Sequence, residues 1–175
     1  MKYEKDMVLF IDHEIYNKMK ECVKRANPNE ACGLLFGTSE EIKNPKIKDD
    51  FFYHYLGKRF ECIQSDKKSP VSFLIDNIEY LHEIIENKIK ESKISKDLRL
   101  ISIFHSHPGS AYPSGFDEDY MQFLDEFSKI PNKYISRTFK NQIWTIINAN
   151  NYNLNGFIYL QNDFLQIEVK IINKD

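Results

Sequence analysis

Two histidines separated by a single residue, His105 and His107, stand directly after an apolar run at 98–104, and Pro108 follows at once. In an extended strand the side chains at i and i+2 project from the same face, so both imidazoles point one way. That geometry suits two ligands on one metal ion. Asp117 follows after a tight loop bearing Gly109 and Pro113, near the start of a helical stretch, where a carboxylate can turn back toward the histidines. Two imidazoles and a carboxylate supply three N/O donors, the number a catalytic zinc typically takes from protein while keeping a fourth position for water. Zinc held this way makes water a nucleophile near neutral pH. The same three residues are equally compatible with a satisfied core histidine, a surface loop or a structural site. The chain has no HExxH, so the helix-borne zinc protease layout is absent.

Other residues carry a chemical reading beside a structural one. Glu30 begins the apolar run 31–36 and reads alone as an exposed acid after Asn27-Pro28-Asn29. Ser114 precedes an acidic helix start and reads as an N-cap. Ser106 alternates with the histidines and should face away from a metal, as a structural residue. His13, His54 and His82 sit singly in helical or aromatic contexts and are read as structural or exposed.

Together these pieces resemble the JAMM (MPN+) metalloprotease family, whose pattern is an upstream Glu, then His-Ser-His-Pro, then Ser-x-x-Asp. Asn29-Glu30-Ala31-Cys32-Gly33-Leu34-Leu35-Phe36-Gly37 resembles the family's Glu-bearing first core strand. His105-Ser106-His107-Pro108 resembles its metal-binding strand end, and Ser114-Gly115-Phe116-Asp117 its Ser-x-x-Asp. The matched elements run from about residue 7 to residue 150. Six residues separate His107 from Ser114, one fewer than the family's usual spacing, which leaves the loop's path and the placement of Ser114 open.

The resemblance implies that His105, His107 and Asp117 hold one catalytic Zn2+ with its water. Glu30 would be the general acid/base, taking a proton from the water and delivering it to the leaving amine. Ser114 would donate a hydrogen bond to the oxyanion or position the water. The implied activity is that of an isopeptidase, cutting between the C-terminal glycine of a ubiquitin-like small modifier and a substrate lysine, as in prokaryotic single-domain members. Two other readings stand beside it: a peptidase that trims a ubiquitin-like sulfur-carrier protein, for instance at a carrier–cysteine adduct, and a non-catalytic scaffold that retains zinc. A modifier tail would reach the zinc as an extended strand. The aromatic-rich segment 51–62 and the segment 128–142 are candidates for gripping it; a polar residue at Phe60 should then raise KM for a protein substrate only.

These residues need a scaffold. A strand is expected at 7–11, then a helix capped by Asp12, with Ile15, Met19, Cys22 and Val23 at helical spacing and Asn27-Pro28 ending it. The run 31–36, closed by Gly37, reads as a buried strand, 38–50 as a loop, and 51–64 as two strands around Gly57. A strand at 71–75 and a helix from Asp76 to about Lys90 follow. Then come a strand at 98–104, a helix at about 116–128, and late strands at 143–149, 156–160 and 164–172, with a turn at Asn155-Gly156. Strands and helices mix without regular alternation, which predicts an α+β fold. The resemblance implies a mixed curved β-sheet flanked by helices, the cytidine-deaminase-like MPN fold.

The 175 residues fit one domain, 1–175, with a sizeable core; 42% are hydrophobic and 14% aromatic. A net charge of -2 lacks the basic signature of nucleic-acid binding. No apolar run approaches the ~20 residues of a membrane helix, and the start of the chain has acids where a leader needs a basic end, so a cytoplasmic protein is expected. Cys22, Cys32 and Cys62 are odd in number and form no CxxC, so all three are expected as small buried hydrophobes in a reducing compartment.

Overall fold

A computed structural model describes residues 6–91, 98–131 and 134–173. The first strand, β1 (Met7–Asp12), leads into helix α1 (His13–Ala26), whose first turn is capped by the Asp12 carboxylate accepting from the Ile15 N–H at 2.7 Å. Ile15, Met19, Cys22 and Val23 form its buried stripe, as their spacing predicts. A long hairpin follows, β2 (Cys32–Lys43) with β3 (Phe51–Ile63). Next come two short-linked helices, α2 (Pro70–Asp76) and α3 (Ile78–Glu91). Strand β4 (Arg99–His107), helix α4 (Gly115–Ser128), a 3-10 helix at Tyr134–Phe139 and strands β5 (Ile143–Asn148), β6 (Leu154–Leu160) and β7 (Asp163–Ile172) complete the described chain.

The strands form one mixed sheet in the order β1-β3-β2-β4-β5-β6-β7, closed into a barrel because β1 pairs parallel with both β3 and β7. The fold is α+β with a strongly curved sheet, as expected. Strand alternation sends residues to two apolar clusters. One joins α1 to Leu9, Leu35, Ile101, Phe104 and Ile143. The other joins α2, α3 and α4 to Leu34, Phe36, Leu100, Ile103 and Trp144. Continued through β4, the alternation puts His105 and His107 on the α4 side and Ser106 on the α1 side.

Several elements differ from expectation for local reasons. Residues 38–43 are strand, not loop: their polar side chains face solvent while the backbone pairs with β3 out to Lys43 opposite Phe51. Gly57 is no turn; it sits inside the continuous β3 opposite Gly37, at a register shift. A Cβ on Gly37 would lie 2.0 Å from the Leu56 carbonyl oxygen, so only glycine permits the strands to approach there. Residues 71–75 are helical because Pro70 occupies the first helical position and Val71, Leu74 and Ile75 bury one face at i, i+3 and i+4. The turn expected at Asn155-Gly156 falls earlier, between β5 and β6.

The cysteine reading is corrected most sharply. Cys22 and Cys62 form a disulfide, with Cα atoms 5.7 Å apart. It joins the buried face of α1 to the end of β3, against which that helix packs, so tertiary packing brings together two cysteines whose spacing carries no signal. Cys32 alone is a free, buried thiol, pushed up to about 12 by burial. Within the aromatic segment 51–62, Tyr55 and Phe60 are core residues: Phe60 is 6% exposed and meets Phe104 edge-on. Of the second segment, 132–133 lie outside the described residues, and Phe139 is buried. Residues 1–5, part of the stretch read for a leader, are likewise outside them. Among the described residues no helix is long and apolar enough to cross a membrane.

Candidate metal centre

Strand β4 is buried from Leu100 to Ser106 and emerges again at His107, so His105 is 1% exposed and His107 lies partly open beside it. Helix α4 starts opposite. Its N-cap, Ser114, accepts from the Asp117 N–H at 3.3 Å, and the Asp117 carboxylate Oδ2 accepts from the Ser114 N–H and hydroxyl, each at 2.7 Å. This capping box leaves the same carboxylate facing the imidazoles. His105 Nε2 lies 3.1 Å from Asp117 Oδ1, His107 Nε2 lies 3.3 Å from Oδ2, and the two Nε2 atoms are 3.0 Å apart.

Three donor atoms therefore converge, all within 4.8 Å of one another and largely buried. These separations of 3.0–3.3 Å, with the two histidines reaching different oxygens of one carboxylate, lie close to the roughly 3.3–3.6 Å between ligands of a tetrahedral ion with bonds of ~2.0–2.2 Å. Two imidazole nitrogens and one carboxylate gathered this closely form a donor set that fits a divalent zinc-like cation. Burial pushes the Asp117 carboxyl up, but hydrogen bonds from His105, His107 and Ser114 outweigh it and hold the group well below the usual carboxylate range. The bond with Asp117 raises His107 above its ordinary value against the opposing effect of burial, and the charge of Glu30 adds to the rise. The carboxylate is thus ionised and ready to bind.

The surroundings fix the rings. His107 Nδ1 faces the Tyr112 carbonyl at 3.0 Å, which turns its Nε2 lone pair toward the shared point. His105 stands edge-on to Trp144, with ring centroids 5.7 Å apart, and its Nδ1 has no hydrogen-bond partner among the described residues. The 108–113 loop is braced from the turn after β5 and the start of β6: the Ala149 N–H donates to the His107 carbonyl at 2.8 Å, and the Asn150 and Asn155 amides donate to the carbonyls of Pro108 and Ala111. Sequence reading missed Tyr112, Asn150, Asn155 and Trp144. Five asparagines within 148–155 were the available signal for the brace.

Glu30 lies just before β2, half-buried, in a cleft of about 690 Å³ that it shares with Ser106, Pro108, Lys68 and Asn150. Its N–H donates to the Lys68 carbonyl at 3.1 Å. The strand order carries it to the donor group, because Cys32 pairs with His105. Of the expected residues, His105, His107 and Asp117 sit together, and Glu30 occupies the neighbouring cleft. Ser114 is found in its N-cap role, its hydroxyl occupied by Asp117. His13, His54 and His82 do not join the cluster: His54 meets Phe10 edge-on, and His82 meets Thr138.

A family profile described as prokaryotic homologs of the JAB domain matches residues 12–153, and the chain belongs to that family. The family includes metallopeptidases, often binds zinc and generally acts on ubiquitin-like modifiers. A solution structure of a Desulfitobacterium hafniense protein is similar in fold, with a TM-score of 0.59 at 19% identity, covering 96% of this chain and 94% of that one. A JAB1/MPN domain protein from Archaeoglobus fulgidus aligns at 16% identity with a TM-score of 0.42, covering 93% of this chain and 97% of that one. No curated protein sequence matches the chain.

Proposed function

We propose that this chain, read as one domain over 1–175, is a zinc-dependent isopeptidase. It would release a ubiquitin-like small modifier from substrate lysines by cutting after the modifier's C-terminal glycine. The observation that carries the reading is the convergence of His105, His107 and Asp117, with Glu30 near enough for its charge to act on His107. A zinc ion held by those three residues would supply Lewis acidity, polarising a carbonyl and making water nucleophilic near neutral pH.

The chain's own groups do the rest. The Tyr112 carbonyl and the Trp144 ring hold the imidazoles in orientation. The Glu30 carboxylate takes a proton as water attacks and gives it to the leaving lysine amine, which leaves neutral. The Ser114 hydroxyl, turned from Asp117 toward the substrate, donates to the developing oxyanion; losing such a donor typically costs about 10²–10³ in turnover.

The test is cleavage of ubiquitin-like fusions and lysine conjugates ending in Gly-Gly, with and without a chelator. Cleavage should stop on chelation and return with zinc. Glu30→Gln should keep stoichiometric zinc and lose turnover, whereas His107→Ala should lose both. Chelator-insensitive cleavage would overturn the zinc mechanism. Release of a single residue from a carrier protein, with conjugates untouched, would move the assignment to carrier processing. A cellular role that survives Glu30→Gln would move it to a scaffold.

A further inference from the structure

We propose that Ser106, which lies between the two metal-facing histidines, is a positioning residue that ties Glu30 to the donor strand; this rests on the catalytic reading of Glu30 given above. The β2–β4 ladder ends at the pair Cys32 and His105, and continuing its register puts Ala31 opposite Ser106. There the pairing changes character. The Ser106 N–H still donates to the Ala31 carbonyl, at 3.1 Å, but the Ala31 N–H donates to the Ser106 side-chain Oγ, at 2.9 Å, and not to a main-chain carbonyl. The hydroxyl stands in for the ladder acceptor. Its reach lets the chain before β2 leave the sheet while both Ala31 and Ser106 stay buried. Glu30 is the first residue on the departing side, and its own N–H is anchored to the Lys68 carbonyl.

Strand alternation makes Ser106 the residue best placed for this. Its neighbours on both sides present imidazoles to the α4 side, and its own side chain crosses to the α1 side and holds the amide next to Glu30. A cation that fixes His105 and His107 therefore fixes Ser106, and through it the backbone carrying the proton shuttle. Only an oxygen acceptor of this length serves. Alanine would leave a buried N–H unpaired, threonine would keep the acceptor, and cysteine would keep the volume with a much poorer one.

The test uses the full chain with Ser106→Ala, Ser106→Thr and Ser106→Cys, zinc-loaded and zinc-free. Hydrogen exchange at the Ala31 amide should be slow in the parent and slower with zinc. It should quicken at least tenfold in Ser106→Ala and Ser106→Cys and recover in Ser106→Thr. With a cleavable Gly-Gly conjugate, kcat should fall tenfold to a hundredfold in the alanine and cysteine variants, the scale of a misplaced catalytic group. KM should stay within about twofold and zinc at one per chain, and threonine should restore kcat. Should the alanine variant fail to fold, the near-isosteric cysteine variant decides. Loss of kcat in step with loss of zinc, unchanged exchange at Ala31, or failure of threonine to restore either readout would overturn the proposal. Were the parent to cleave nothing, the proposed function would fall, and the exchange arm would still decide whether Ser106 carries the zinc signal to Ala31.

Discussion

Breaking the Cys22–Cys62 bond should cost this fold a large share of its stability. The bond spans a sequence separation of 40 residues. In the chain-entropy treatment, a loop of that length removes about 13 cal/mol/K from the unfolded state, or roughly 4 kcal/mol at 25 °C. For a domain of this size each kcal/mol moves the melting point by about 2–4 °C, so reduction should lower it by roughly 8–15 °C. The assay is thermal melting with and without a phosphine reductant, beside Cys62→Ser. Cys62 is the half-buried partner, and its replacement leaves Cys22 as a buried thiol. Thiol titration in denaturant should count one free thiol before reduction, Cys32, and three after. A melting point that moves less than about 3 °C although all three thiols are freed would refute the entropic estimate. Three free thiols in unreduced, freshly isolated protein would refute the bond itself.

Further expectations follow from the site and core. Phe60→Ala should destabilise by about 3–5 kcal/mol, since the ring is buried against Phe104, and should depress protein and peptide cleavage alike in proportion to folded fraction; a selective rise in KM for the protein substrate would contradict the core placement. Asn155→Ala, which frees the Ala111 carbonyl and loosens the loop holding the Tyr112–His107 contact, should weaken zinc by about 10–100-fold in a competition titration with little change in melting of the zinc-free chain; unchanged affinity would remove the brace from the site. The zinc-free protein should show a stability maximum in pH. Asp117 is held below its ordinary value, so its contribution is present above about pH 4 and lost as pH falls through its folded value. His107 is held above its ordinary value, so its contribution is full below about pH 6.5 and fades as pH rises through its folded value. Zinc, which takes the neutral imidazole, should offset the alkaline loss; melts that are flat from pH 6 to 9 without zinc would contradict the His107 assignment.

What could be read from the chain was whatever local spacing encodes. His105 and His107 at i and i+2 after an apolar run, Asp12 and Ser114 as caps, and the α1 stripe all follow from periodicity and capping chemistry. Long-range pairing was not legible. Residues 38–43 look like a loop because nothing local reveals that β3 pairs with them, and Gly57 looks like a turn until Gly37 is seen opposite. The 71–75 run is apolar enough for a strand, and the proline before it was the cue for a helix. Cys22 and Cys62 meet through packing of α1 on β3, which no spacing rule encodes. The loop brace from Asn150 and Asn155 was hidden because its acceptors are backbone carbonyls, which carry no residue signature.

The carboxylate of Asp117 closes the first turn of α4 as well as facing the imidazoles, and this double duty shapes how the site could decay over evolutionary time. A descendant released from selection for chemistry would still need something at this position to accept the Ser114 N–H. Asparagine or another short polar residue would meet that need, whereas an aliphatic one would fray the helix. Drift at position 117 should therefore run through polar substitutes that remove the carboxylate from the donor group and preserve the fold. His107, whose side chain meets the backbone at the Tyr112 carbonyl of a surface loop and caps no helix, is less constrained by the fold. In this architecture a lineage could lose its chemistry at one histidine long before its helix start recorded the change.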